Sequence, residues 1–210
     1  RLSDALFFWD QDRSAGLAAR GDGLDRVTFQ QSLGSLADKS ARVAALAKRM
    51  ADAIGADQQT LARAATLAKA DLLTEMVGEF PDLQGVMGYY YALDAGEGEA
   101  VAQAIAEQYA PARAGAPIPA SAAGRALALA DRLDTLAGIF AIDRRPSGDK
   151  DPFGLRRAAL GALRTIIESG MDLDLRDALS AALAAQPVTP VEDSLDALWM
   201  FHMERLRGYY

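Results

Sequence analysis

The chain has 210 residues, half of them hydrophobic and 24% charged, with a formal net charge of −7. That balance fits one large globular core, or one domain with an appendage. It has no cysteine, which excludes disulfides and thiolate metal sites. No apolar run approaches the ~18 residues of a membrane span, and the acidity excludes a domain that is basic over a whole nucleic-acid-binding face.

The first residues carry Asp4 and Asp10 within an apolar stretch and do not form a signal peptide. The chain begins with Arg1 rather than Met and stops at Tyr210 inside a helical pattern, so a segment of a longer cytoplasmic polypeptide is expected. A weak strand pattern covers residues 24–29. Helical periodicity then takes over. Leu36, Val43, Leu46, Met50 and Ile54 make one stripe, which Gly55 ends. Leu61, Ala65, Leu72 and Met76 make a second. The segment from Phe80-Pro81 to Gly88 interrupts the pattern, and residues 94–96 form a turn. Val101, Ile105 and Tyr109 make a short third stripe, with Glu97 and Glu99 expected in the first turn of its helix, where they favour the dipole. Residues 109–121 hold Pro111, Pro117 and Pro119 and read as an extended loop. Leu127, Ala130, Leu133, Ala137 and Phe140 make the fourth stripe, and residues 143–151 a second loop. Asp151-Pro152 reads as a helix start, with Asp as N-cap and Pro at the first helical position. Leu155, Ala159, Leu163 and Ile166 follow. Pro187 and Pro190 set off a last stripe of Leu195, Leu198 and Leu206. The reading is an all-α, HD-domain-like helical bundle (residues 31–186) with a lead-in segment (1–30) and a C-terminal helical appendage (187–210).

Three groups of residues bear on chemistry. Residues 38–47 are similar to the first core helix of HD-type phosphohydrolases, residues 64–71 to their helix ending in His-Asp, and residues 128–133 to the helix that supplies the last Asp. Such sites use imidazoles and carboxylates to hold a divalent metal and activate water. Here Lys39 or a neighbour replaces the first His, and Ala70 the second. An ammonium donates and cannot ligate. Asp71 and Asp131 remain, either as remnants of a metal site or, as we favour, as buried polar residues paired with Lys69, Lys39 or Arg132. No catalytic and no metal-binding residue is assigned.

Second, residues 143–164 hold six basic side chains (Arg144, Arg145, Lys150, Arg156, Arg157, Arg164) against three acids (Asp143, Asp149, Asp151), a local balance of +3. Arginine forks beside a helix start suit phosphates. Arg144, Arg145, Lys150, Arg156 and Arg157 are the candidates for RNA phosphate contact. The equal alternative is that Arg156 and Arg157 pair with the acids of the loop and brace the fold. Third, Tyr89, Tyr90 and Tyr91 could stack bases, but three consecutive side chains cannot share one face, and core packing is the better reading. Gly85 and Gly88 suit a sharp bend or a close helix approach.

Taken in series, residues 29–39, 69–88, 128–140 and 148–161 resemble the β chain of the heterotetrameric bacterial glycyl-tRNA synthetase. The resemblance covers residues 1–175 well and is less distinctive after Pro187. It implies an internal HD-type helical region lacking the full His set, within a chain that supports tRNA binding and assembly for ATP-dependent glycylation of glycine tRNA. It places the aminoacylation site, with its ATP and Mg, on the α chain, so this segment carries no cofactor of its own. The implied partners are glycine tRNA and the α chain, with no membrane and no DNA. A metal-dependent HD-type phosphohydrolase and a purely structural spacer are the rival readings.

Overall fold

The computed structural model describes residues 2–210. Eleven α-helices are joined by turns and one small hairpin: α1 (Leu2–Ala15), α2 (Leu17–Gly21), α3 (Leu36–Ile54), α4 (Gln58–Leu67), α5 (Glu75–Glu79), α6 (Val86–Asp94), α7 (Glu99–Glu107), α8 (Ala122–Ala141), α9 (Leu155–Ser169), α10 (Leu175–Ala184) and α11 (Ser194–Tyr209). Strands β1 (Thr28–Gln30) and β2 (Gly34–Ser35) pair antiparallel. The all-α class expected from the periodicity holds. No helix of the described residues is long and apolar enough to cross a membrane.

α8 is the hub. It is rich in Ala and Leu over nearly its whole circumference, the mark of a helix enclosed on all sides, and its Leu127, Leu129, Leu133, Leu136 and Ile139 are fully buried. α3, α4, α7, α9, α10 and α11 pack around it. Small residues set the spacing. A Cβ on Gly138 would stand 2.7 Å from Leu33, and one on Gly161 of α9 would stand 2.8 Å from Arg132 of α8. One continuous apolar cluster runs from Leu17 to Leu198.

Helix boundaries follow local chemistry. α3 starts at Ser35, whose hydroxyl accepts from the Asp38 N–H while the Asp38 carboxylate accepts from the Ser35 N–H, a reciprocal cap. It ends at Gly55 in the left-handed region (φ 73°).

Several expectations need correction. The stripe from Leu61 to Met76 is three pieces, α4, a 3-10 turn (Ala70–Leu73) and α5. Asp71 is drawn into the core there, and its Oδ2 accepts from the Gly85 and Gly88 N–H groups. The strand lies at residues 28–30, and residues 22–26 form a 3-10 turn. α7 begins at Glu99, so Glu97 lies outside it and pairs with Arg63 instead. Pro152 is not the first residue of α9. That helix starts at Leu155 behind Gly154 (φ 64°), although Asp151 still caps it, accepting from the N–H of Leu155 at 2.8 Å and of Arg156 at 2.9 Å. α1 and α2 arise where the apolar period shows no helix, because Phe7, Phe8 and Trp9 are consecutive rather than spaced by a turn. Trp9 nonetheless stacks on Tyr91, and buried Asp12 accepts from the Tyr91 hydroxyl and the Glu75 and Met76 N–H groups.

Candidate functional site

α3, α8 and the turn after α4 bring Lys39, Lys69 and Asp131 together. Lys39 Nζ stands 3.1 Å from Asp134 Oδ2, 2.8 Å from Thr135 Oγ1, 3.2 Å from the Asp131 carbonyl oxygen and 3.4 Å from Asp131 Oδ1. Lys69 Nζ stands 3.2 Å from the same Oδ1 and lies over the Tyr109 ring. Arg42 completes the set, with Nε donating to Asp134 Oδ1 at 2.7 Å. Both ammoniums are almost wholly buried.

The electrostatics follow from this geometry. Burial pushes the Asp131 carboxyl up, but Lys39 and Lys69 outweigh it and hold the group well below the usual carboxylate range. Asp71 goes the other way. Burial raises it, and the N–H bonds from Gly85 and Gly88 and the charge of Lys69 only partly compensate. The Tyr109 hydroxyl is raised by burial and by the charges of Asp71 and Asp131. Ala70 is fully buried and offers no donor atom. Arg132 turns away from Asp131 and donates to the carbonyls of Ala128, Tyr109 and Pro111. Two ammoniums thus stand beside the one carboxylate that a cation would need. Among the described residues no three His, Cys, Asp or Glu side chains converge as a metal-binding group. His202, the only imidazole, is buried on α11, where its Nδ1 donates to the Leu198 carbonyl at 2.8 Å.

The basic segment divides in two. Arg145 is neutralised, with NH1 donating to Asp193 at 2.8 Å and Nε standing 3.1 Å from Asp143. Arg156 donates to the Gly148 carbonyl. The side chains of Arg144, Lys150 and Arg157 have no hydrogen-bond or ion-pair partner among the described residues. The expected bracing of Arg156 and Arg157 by loop acids is not met: the Arg156 guanidinium goes to the Gly148 carbonyl, the Arg157 side chain pairs with none of them, and it is Arg145 that pairs with the loop acid Asp143.

Two features join sequence-derived candidates to residues that the sequence does not single out. A cleft of about 280 Å³ leads from Asp131 and Thr135 past Tyr109 and Phe153 to Arg157. Beside it, α9, α11 and the 109–121 loop enclose a groove of about 550 Å³ that gathers Arg113, Arg156, Arg157, Arg164 and Arg205. Arg113 and Arg205 come from segments with no local basic run, so no sequence signal short of the fold joins them to α9. Of the three tyrosines, Tyr91 is buried, Tyr89 half-buried and hydrogen-bonded to Glu99, and Tyr90 exposed.

Comparison with known proteins gives a consistent result. Residues 1–210 match the family described as Glycyl-tRNA synthetase beta subunit. A glycine–tRNA ligase beta subunit from Chromohalobacter salexigens is 53% identical over 210 residues, covering 100% of this chain and 30% of the relative. Those from Pseudomonas fluorescens and Xanthomonas campestris pv. campestris are 53% and 51% identical, each covering 100% of this chain and 31% of the relative. The chain therefore spans about a third of the length of the curated relatives it matches.

Proposed function

The chain belongs to the glycyl-tRNA synthetase beta-subunit family, and from that premise we propose that it is an RNA-contact and assembly module of a glycine–tRNA ligase. In this reading it carries no aminoacylation site. ATP and Mg act on the α chain of the assembled ligase, and the partners are glycine tRNA and that α chain, in the cytoplasm. The observation that supports RNA contact is a set of cations whose side chains have no internal partner among the described residues, namely Arg144 and Lys150 in the segment before α9 and Arg157 on it, with Arg113 lining the same groove as Arg157. An unneutralised arginine keeps its donors available for a phosphate. Of the five candidates, Arg145 and Arg156 serve the fold first.

The buried Lys39–Asp131–Lys69 cluster supports a scaffold role for the rest of the domain. A phosphohydrolase needs Asp71, Asp131 and a third ligand to converge on metal, whereas Asp71 is engaged by two backbone N–H groups and Asp131 by two lysines.

Fluorescence anisotropy with glycine tRNA tests the proposal. Weak, salt-sensitive binding is expected. The variant Arg144→Ala/Lys150→Ala/Arg157→Ala should lose most of it, and Arg145→Ala much less. Absence of binding even at low salt would leave the scaffold reading alone.

A further inference from the structure

The groove between α9 and α11 has a construction that phosphate contact along a duplex does not require. Its floor is carbon: Pro111, Leu160, Gly161 and Gly208. Its volume falls within the ~300–1,000 Å³ of small-ligand sites. Its arginines are of two kinds. Arg205 and Arg164 are fixed. Arg205 lies over the Phe201 ring at 3.5 Å and is tied to the Phe201 carbonyl and Glu204, while Arg164 is held by Glu168 and the Ala116 carbonyl. The side chains of Arg113 and Arg157 have no hydrogen-bond or ion-pair partner among the described residues. Glu204 is the only acid among the lining residues, and Arg205 already pairs with it.

We infer that this groove takes an unpaired RNA nucleotide, its base seated on the carbon floor against the fixed guanidinium planes and its phosphate held by Arg113 and Arg157. The inference rests on the RNA-contact reading above and goes beyond it. A duplex presents its backbone charge without a free base face, and would leave the recess unfilled. Single-stranded RNA offers both a π-face, which arginine planes and apolar surface accept, and a phosphate one bond away from its sugar. The groove's lining sets five arginines against one acid, on a chain of net charge −7, and so complements such an anion.

The test compares a fluorescent single-stranded RNA with a blunt-ended RNA duplex of equal nucleotide number, by anisotropy on the 210-residue chain. Gly208→Leu adds bulk at the groove lining without altering charge, and a Cβ there meets nothing within 4 Å, so the helix accommodates it. The single strand should bind more tightly than the duplex. Gly208→Leu should weaken the single strand by about tenfold, the scale of one lost base stack, and leave the duplex unchanged. Arg113→Ala/Arg157→Ala should weaken both, and circular dichroism should show both variants folded. Equal binding of the two RNAs, untouched by Gly208→Leu, would overturn the inference while leaving the RNA-contact reading in place. No binding of either RNA at low salt would overturn both. Binding of an acidic peptide that Gly208→Leu abolishes, without RNA binding, would make the groove a protein-docking site and overturn the inference.

Discussion

Lys39 has its ammonium surrounded by four oxygens and the face of Phe29. A buried charge with a full set of partners is neutral or only modestly favourable overall, but removing one partner strands the others. Lys39→Met leaves Asp131 with Lys69 alone, and urea denaturation should show a loss of about 3–5 kcal/mol. A loss under ~1 kcal/mol would mean that water already shares the cluster. Mn²⁺ or Mg²⁺ should leave the melting temperature unchanged, because a ligand stabilises only a folded state that binds it. A metal-dependent rise would revive the phosphohydrolase reading. His202 gives a pH prediction. Burial lowers its pKa from the ordinary 6.5, with Arg205 adding to the effect and the bond at the Leu198 carbonyl opposing it. The unfolded chain therefore binds the proton more readily, so His202 contributes stability above pH 6.5 that is lost as pH falls through the depressed folded value. His202→Asn, which can keep a donor near the Leu198 carbonyl, should flatten the stability profile between pH 7 and 5. An unchanged slope would assign the acid sensitivity to other groups.

Among the elements, α9 and α6 carry the sharpest expectations. Asp151 accepts from two N–H groups at the α9 start, so Asp151→Ala should cost about 1 kcal/mol by thermal melting. A Cβ on Gly88 would approach Ile105 to 2.7 Å and the Asp71 carboxylate to 3.1 Å. Gly88→Ala should cost about 1–3 kcal/mol as overpacking, and a neutral result would show that α6 and α7 can move apart. These two sites also show how far sequence reading reaches. The Asp151 cap and the close approach at Gly88 are both legible, because each rests on a local residue preference. α9's true start is not, since it depends on Gly154 adopting φ 64°. The break within the Leu61–Met76 stripe is not legible either. It is enforced by Asp71 reaching N–H groups 14 and 17 residues away, which a 3.6-residue period cannot register.

For the whole molecule, the all-α class and the central burial of the 127–140 stripe follow from apolar periodicity, because a helix apolar on every side has to be enclosed. The pairing of Asp131 with Lys39 and Lys69 is legible in the sequence, but the same expectation fails for Asp71, which backbone N–H groups hold, and Asp134, a partner of Lys39, gives no signal there. The groove was not readable, because Arg113, Arg157 and Arg205 lie on three separate segments that only packing assembles. In the proposed reading, RNA contact sets a local positive charge against a global excess of acid. Repulsion from the remaining surface should keep binding weak, and counterion release should make it depend steeply on salt. The most direct test is therefore the salt dependence of glycine tRNA binding, comparing the parent chain with Arg113→Ala/Arg157→Ala. The account predicts a linear fall of log K with log salt whose slope becomes shallower by about 0.7–0.9 for each lost phosphate contact. A slope unchanged by the two substitutions, with binding intact, would place the RNA contact elsewhere and contradict it.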